Sequence, residues 1–291
     1  MKIVFMALQV LWAFAVSGFA MDKESALKIF KERVSYLDKN EANREIIKEA
    51  REFFVDLAAK SSGDDKLKAA SYALKLYIFE GDYLYEKEGV DKKARYRLFS
   101  QCLDWIDFLS PERIGRKTQV YYMGVNACRA WKVEVGGVPD ALSLPKYFGG
   151  AMDTLYRGLE LGGEYLGGGL YRSGAAVMVN PGTKIIGLYK PEEALKFMQA
   201  ALAAGKDPLD ENSHLGEDYC ENYLYKIKAL IELKNMAAAS ETLDEAVFWF
   251  GLDLLSDPVK VELAPLGLEA ESLVCARRLK DLVRKTDGLS L

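Results

Sequence analysis

The sequence predicts an all-α protein, and two observations carry this prediction. From Asp22 onward, apolar residues recur close to the 3.6-residue period of an α-helix, and no stretch alternates as a half-buried strand does. Turn-forming residues interrupt the pattern at intervals of one or two helix lengths. They lie at Ser61–Gly63, Ser110–Pro111, Gly136–Gly137, Gly162–Gly163, Asn180–Gly182, Gly205–Pro208, Asp257–Pro258 and Pro265. We expect about ten to twelve helices with mostly short connections, as in antiparallel helical hairpins.

The apolar stripes divide the chain into successive helices. A first stripe contains Leu27, Phe30, Val34 and Leu37, and a second contains Ile46, Ile47, Ala50, Phe53, Phe54 and Leu57. After them, pairs of helices carry small residues at the positions where two helices would cross. One pair has Ile78, Gly81 and Tyr85 followed by Ala94, Leu98 and Gln101, and a later pair has Tyr223, Ile227 and Leu230 followed by Ala239, Leu243 and Ala246. In both, about twelve residues separate the two key positions, which predicts a tetratricopeptide-type helical hairpin solenoid, an α-α superhelix.

Two central pairs follow the same order with longer connections. One has Gly124 and Ala127 followed by Ala151, Leu155 and Gly158, and the other has Leu170, Ser173, Gly174 and Val177 followed by Ala194, Met198 and Ala201. Their connections exceed the usual length by about fifteen and eight residues. The inserted stretches, Gly136–Pro145 and Asn180–Tyr189, are rich in Gly, Pro and apolar residues. Long loops in a compact array are uncommon and often functional, so these insertions indicate where a site would lie.

The two ends of the chain are expected to differ from the repeats. Lys2 precedes the uncharged stretch Ile3–Val16, and small residues lead to Ala20, which is the layout of a secretory signal peptide over residues 1–20. An uncleaved anchor is the alternative. Residues 21–291 are then expected to form one periplasmic helical-repeat domain, soluble after cleavage, with membrane association as the alternative. A charged, Leu-rich helix over residues 267–284 fits a terminal cap.

Charge and cysteine content exclude several functions. The net charge is −4, from 39 basic and 43 acidic residues, and no basic block is present, so a nucleic-acid partner has no electrostatic support. Cys102, Cys128, Cys220 and Cys275 allow three pairings in an exported protein, while buried free thiols explain them equally well. With no CxxC spacing and a single His, His214, no metal site or cofactor is expected.

Three short motifs resemble the tetratricopeptide T-component family associated with tripartite ATP-independent periplasmic (TRAP) transporters. They are Tyr121-x-x-Gly-x-x-x-Cys-x-Ala-Trp131, Gly167-Gly-Gly-x-x-Arg172-x-Gly174 and Gly187-Leu-Tyr-x-Pro-Glu-Glu-Ala-Leu195. The resemblance implies a periplasmic protein with a groove or pore through its repeats. It also implies two partners, the transporter's substrate-binding subunit and a small-molecule ligand, for which a hydrophobic compound is the candidate. The chain lacks the lipid-attachment Cys of some relatives.

Eight residues are the candidates for ligand binding: Tyr121, Tyr122, Asn126, Trp131, Tyr171, Arg172, Leu188 and Tyr189. The aromatic residues between 121 and 131 would line a concave pocket, or would simply pack against neighbouring helices. Arg172 lies in an apolar, small-residue stretch, so we expect an anionic partner, either Glu192 or Glu193 or a ligand carboxylate. The glycines at 167–169 suit close helix contact better than phosphate binding. Tyr189 precedes a predicted helix start at Pro191.

No catalytic residues are predicted. His214 lies in a polar turn, and the GxSxG and HExxH motifs are absent, so the sequence favours a binding protein rather than an enzyme. The alternative in a different class is a tetratricopeptide scaffold in the cell envelope that binds a protein or peptide and no small ligand. A helical-barrel enzyme with convergent carboxylates is the third possibility.

Overall fold

A computed structural model describes residues 21–85, 89–136, 145–207, 209, 215–250, 275 and 279. Within these residues lie helices and no β-strand, so the predicted all-α fold is confirmed. The ten longer helices are α1 (Lys23–Lys31), α2 (Glu41–Lys60), α3 (Gly63–Phe79), α4 (Lys92–Ile106), α5 (Gln119–Gly136), α6 (Pro145–Leu159), α7 (Gly169–Met178), α8 (Pro191–Leu202), α9 (Cys220–Glu232) and α10 (Met236–Trp249). The predicted signal peptide, His214, most of the 136–145 insertion and most of the predicted cap lie outside the described residues.

The helices begin where the sequence supplies caps. Asp22 Oδ1 accepts a hydrogen bond from the Ser25 amide at 2.7 Å, and Asn40 caps α2 in the same way. Pro191 opens α8, with Glu192 and Glu193 in its first turn, as predicted from the sequence. Carboxylates at this position are stabilised by the positive end of the helix dipole. Local sequence signals therefore set these boundaries.

Neighbouring helices pack in chain order from α1 to α10. A second set of contacts joins α3 to α5, α5 to α7 and α7 to α9, so these four helices form one layer, which we call the central layer. Helices α4, α6, α8 and α10 each pack beside it. In each predicted pair, the first group of crossing residues lies on a central-layer helix or on the turn that extends it. The second group lies on the next helix in the chain. Stacked helical hairpins have this order of contacts, in which each unit touches mainly its neighbours.

Glycines lie where helices approach most closely, as the small-residue pattern predicts. A Cβ on Gly124 would lie 2.6 Å from Ile106 Cγ1 of α4. A Cβ on Gly158 would lie 2.7 Å from Leu170 Cδ1, and one on Gly174 would lie 2.6 Å from the Phe197 ring. Real Cβ atoms essentially never approach other atoms this closely. These glycines therefore set the spacing between α4 and α5, α6 and α7, and α7 and α8.

All four cysteines are paired. Cys102 of α4 is bonded to Cys128 of α5, with Cα atoms 6.0 Å apart, and Cys220 of α9 is bonded to Cys275, with Cα atoms 5.7 Å apart. The alternative of buried free thiols is therefore wrong. Burial alone could not decide between the two, because a paired and an unpaired Cys occupy similar apolar positions. Within the described residues, no helix has both the length and the apolarity needed to cross a bilayer.

Candidate binding site

The end of α3 carries a feature that the sequence did not indicate. Residues Glu80–Leu84 form a π-helical turn in which every residue is buried, including Glu80 and Asp82. At Gly81, an added Cβ would overlap the ring of Phe99 on α4, so only glycine fits at this crossing. Turns of this type occur frequently at functional sites. This one buries two carboxylates together with the Tyr83 side chain.

Glu80 forms a buried ion pair with α2. Arg51 Nε donates to Glu80 Oε2 at 2.8 Å, and the Tyr85 hydroxyl donates to Glu80 Oε1 at 3.2 Å. The Arg51 guanidinium also lies 4.4 Å from the centre of the Tyr77 ring. Burial raises the pKa of Glu80, while Arg51 and the Tyr85 hydroxyl act in the opposite direction. Because both charges are paired, the group joins α2 to the end of α3.

Asp82 lies in a second polar group, between α4 and α5. Arg95, of which only 1% is exposed, donates to the Gly81 carbonyl at 2.6 Å and to Glu134 Oε2 at 3.1 Å. Trp131 Nε1 donates to Asp82 Oδ1 at 3.4 Å, and its ring stacks on Phe99 with centroids 6.0 Å apart. The candidate residue Trp131 is therefore partly buried and oriented by a carboxylate.

Two tyrosine hydroxyls connect α3 to the later part of the chain. Tyr83 donates to Glu221 Oε1 on α9 at 3.4 Å, and Tyr165, which precedes α7, donates to Ser71 Oγ on α3 at 3.0 Å. The residues joined are 138 and 94 positions apart in the sequence. These bonds hold α3 close to the residues that begin α7 and α9.

The partners of Arg172 within the described residues are neutral, so the expected pairing with Glu192 or Glu193 is wrong, while the ligand carboxylate stays a prediction. Its guanidinium donates to the carbonyls of Gly167 at 3.0 Å and Leu166 at 2.9 Å, and to Asn222 Oδ1 at 2.9 Å. It also lies 5.1 Å from the centre of the Tyr219 ring. Several oriented dipoles replace the expected carboxylate. Asn222 is fully buried, and its Nδ2 donates to the Gly167 carbonyl at 2.9 Å and the Gly216 carbonyl at 2.7 Å.

The glycines at 167–169 serve close packing, as the sequence indicated. A Cβ on Gly167 would overlap the Tyr219 ring, and one on Gly168 would lie 2.6 Å from Ala201 Cβ. Both have positive φ, +52° and +83°, which is the region that glycine adopts without strain. The carbonyls of Leu166 and Gly167 accept hydrogen bonds from the Arg172 guanidinium, and the Gly167 carbonyl also accepts one from Asn222 Nδ2, an arrangement that suits a cation and not a phosphate.

The remaining candidates lie in three other places. Tyr122 is buried against α6 and contacts the Tyr121 ring edge-on, while the buried Asn126 donates to the Tyr122 carbonyl at 2.8 Å. Tyr171 meets Phe197 edge-on at 5.6 Å. Leu188 is half-buried, and the Tyr189 hydroxyl donates to Glu232 Oε2 on α9. The contacts of the eight candidates therefore fall into separate groups along the central layer and beside it.

Several buried polar residues of this region were not predicted from the sequence, namely Glu80, Asp82, Arg95, Tyr165 and Asn222. The one available signal was the acidic pair around Gly81, between Phe79 and Tyr83, since charges in an apolar run require partners. Within the described part of the chain, no group of three or more His, Cys, Asp or Glu residues could hold a metal ion.

No model of a known protein family and no curated protein matches this chain. The assignment of a function therefore depends on the geometry of the helices and on the motifs themselves.

Proposed function

We propose that this chain is an exported, tetratricopeptide-type binding protein that works with a TRAP transporter. The observation that carries the proposal is the packing of α3, α5, α7 and α9 into one layer, in register with the repeated small residues. Solenoids of this kind present extended surfaces that bind ligands or partner proteins. The transporter's substrate-binding subunit is the proposed protein partner, and a hydrophobic small molecule is the proposed ligand.

The two disulfides support export. Cys102–Cys128 joins neighbouring helices, and Cys220–Cys275 joins α9 to a residue near the C-terminus. Disulfides persist in oxidising compartments such as the bacterial periplasm and are rare in the cytosol. They fit the predicted signal peptide and a periplasmic location.

The test is affinity purification of the tagged full-length chain from the envelope of its host, followed by identification of bound proteins. We expect the tagged chain to retain the substrate-binding subunit of a TRAP transporter. An unrelated exported helical protein, used as the control, should not retain this subunit. Ile185 is 92% exposed on the 180–189 insertion, whereas Phe248 is 83% exposed on α10. If the insertion contributes to the interface, Ile185→Ser should weaken retention and the matched variant Phe248→Ser should not.

A second candidate is a scaffold that binds a peptide or an envelope-assembly protein. The polar group of Asp82, Arg95 and Glu134 favours it, because Glu134 is 48% exposed and can accept hydrogen bonds from a peptide backbone. Glu134→Gln should weaken a peptide complex while leaving retention of a small apolar molecule unchanged. Binding of envelope peptides without the transporter subunit would favour this candidate over the first.

A further inference from the structure

The insertion between α7 and α8 ends in an exposed apolar tip. Ile185 lies in the 3₁₀ turn Pro181–Ile186 and is 92% exposed, the highest value among the large apolar residues that the structure describes. A Cβ on Gly187 would meet no atom within 4 Å, and one on Gly182 would meet only a side chain of the insertion itself. Residues 181–187, which we call the insertion tip, therefore project into open space.

Hydrogen bonds within the insertion hold this tip in one conformation. The Gly182 amide donates to Asn180 Oδ1 at 2.9 Å, and the Leu188 amide donates to the Thr183 carbonyl at 3.1 Å, which closes the turn. Ile185 is therefore presented by a defined turn. A group that is already ordered loses little conformational entropy when it binds, so more of its burial energy contributes to affinity.

Positive charge lies beside the exposed apolar side chain. Between Glu164 and Glu192 the sequence contains no acidic residue, whereas Lys184 and Lys190 are both exposed. Lys184 Nζ lies 4.3 Å from the centre of the Tyr189 ring, and within the described residues it forms no ion pair. Its charge is therefore available to an anionic surface. The exposed Glu192 at the start of α8 opposes this attraction, so we expect the electrostatic contribution to be small.

The other carboxylates that contact the insertion are engaged by its own side chains. Glu193 accepts a hydrogen bond from the Tyr156 hydroxyl and pairs with Lys190 at 3.2 Å. Glu232 on α9 accepts a hydrogen bond from the Tyr189 hydroxyl. These contacts tie the base of the insertion to α6, α8 and α9, and they leave the tip to the apolar side chain and one lysine.

A bilayer surface fits this tip better than a protein interface does. A stable protein interface buries about 800 Å² on each partner, usually around a group of large side chains. Here Ile185 has the small or compact residues Pro181, Gly182 and Gly187 around it in the chain, so the tip offers a narrow point. A lipid surface receives such a point without a matching socket. Apolar side chains flanked by Lys and Tyr are typical of segments that lie at the boundary between water and lipid.

We propose that the insertion tip places Ile185 into the interfacial region of a bilayer that contains anionic phospholipids, with Lys184 against the headgroups. This inference goes beyond the proposed transporter partner and does not depend on it. A single apolar residue and a single lysine give weak and reversible attachment, since stable anchoring requires a second signal. The tip therefore orients the chain at a membrane surface, with the ends of α7 and α9 that contact the insertion turned toward the lipid.

Flotation of the exported full-length chain with lipid vesicles tests the contact. The vesicles contain phosphatidylethanolamine and phosphatidylglycerol in a three-to-one ratio, and phosphatidylcholine vesicles provide the uncharged comparison. We expect the wild type to float with the anionic vesicles. Ile185→Ser removes the apolar group and should lower the partition coefficient about tenfold, whereas Ile185→Leu should retain it. Both substitutions are at the surface, and circular dichroism checks that each variant folds.

Two further variants separate the tip from general stickiness. Lys184→Gln should lower partition about threefold on the anionic vesicles and leave it unchanged on phosphatidylcholine. Phe248 on α10 is larger than Ile185 and is 83% exposed. If any exposed apolar side chain were sufficient, Phe248→Ser would weaken partition as much as Ile185→Ser. We expect Phe248→Ser to leave partition unchanged.

A fluorescent label locates the contact directly. All four native cysteines are in disulfides, so Ile185→Cys introduces one thiol that accepts a nitrobenzoxadiazole label. Its emission should shift to the blue when anionic vesicles are added. The same label on Phe248→Cys should not shift.

Three results would overturn the inference. The first is a wild type that does not float with anionic vesicles. The second is equal partition of the wild type and Ile185→Ser, or a label at position 185 whose emission does not change. The third is an Ile185→Ser variant that loses a protein partner in detergent while its vesicle partition is unchanged, which would assign the tip to a protein interface.

Discussion

Substitution of Gly124 by Ala tests the close helix contact on which the fold depends. The new methyl carbon would lie 2.6 Å from Ile106 Cγ1 and 2.8 Å from Ile106 Cδ1, both on a side chain that is 1% exposed. Overpacking a dense core costs about 1–3 kcal/mol. Replacing Gly by Ala inside a helix otherwise stabilises the folded protein by about 1 kcal/mol, because Ala has the higher helix propensity. Because two heavy atoms clash, we expect a net loss of about 1–2 kcal/mol and a lower Tm by about 2–4 °C per kcal/mol.

Urea denaturation followed by circular dichroism measures this change, and Gly205→Ala is its control. A Cβ on Gly205 would meet only Glu164 Cγ, at 3.7 Å, so this variant should change stability by no more than about 0.5 kcal/mol. Ile106→Ala removes both clashing atoms, so the double variant should lose less than the sum of the single losses by about 1 kcal/mol or more. A Gly124→Ala protein as stable as the wild type, or strictly additive losses, would show that α4 and α5 do not meet as described.

Three further predictions concern pairs of side chains. Replacing Cys102 and Cys128 by Ala should lower the free energy of unfolding by about 3.5 kcal/mol, because the disulfide closes a loop over a 26-residue separation in the unfolded chain. An unchanged free energy of unfolding under matched oxidising conditions would refute the pairing. Glu80→Gln leaves the buried Arg51 with only the exposed Glu52, 3.9 Å away, and should cost about 3 kcal/mol, whereas replacing both Glu80 and Arg51 by Met should cost much less. Equal losses in urea titrations would contradict the ion pair. The Tyr156 hydroxyl, and then Lys190, lower the pKa of Glu193, so Tyr156→Phe should raise that pKa in a carboxyl-carbon NMR titration. The folded-state pKa of Glu193 is depressed, so its contribution to stability is present above the unfolded pKa and is lost as pH falls through the folded one.

The sequence predicts those parts of the fold that depend on local pattern. The starts of α1, α2 and α8 follow from Asp22, Asn40 and Pro191, since a cap acts within one turn of its own helix. The crossings at Gly124 and Gly158 follow from the repeated small residues. The crossing at Gly81 was predicted as well, but the π-helical turn at Glu80–Leu84 was not, because apolar periodicity does not distinguish a single π turn from the α-helix that it extends.

The contacts of the candidate site residues were harder to predict, because the side chains that bind each other are distant in the sequence. Arg172 suggested an anion, but its guanidinium is held by Asn222, 50 residues away, and by the carbonyls of Leu166 and Gly167, two residues with positive φ. The role of Tyr165 depends on Ser71, 94 residues earlier. The periodicity of a helix contains no information about such pairs, so they emerge only once the helices are packed.

Native mass spectrometry of the protein purified from its native host tests the central claim, that the chain functions by binding, most directly. We expect a population heavier than the polypeptide alone by a small apolar molecule, released on denaturation and recovered by organic extraction. Repeated preparations that contain only the polypeptide mass, and that take up none of the apolar probe N-phenyl-1-naphthylamine, would contradict it.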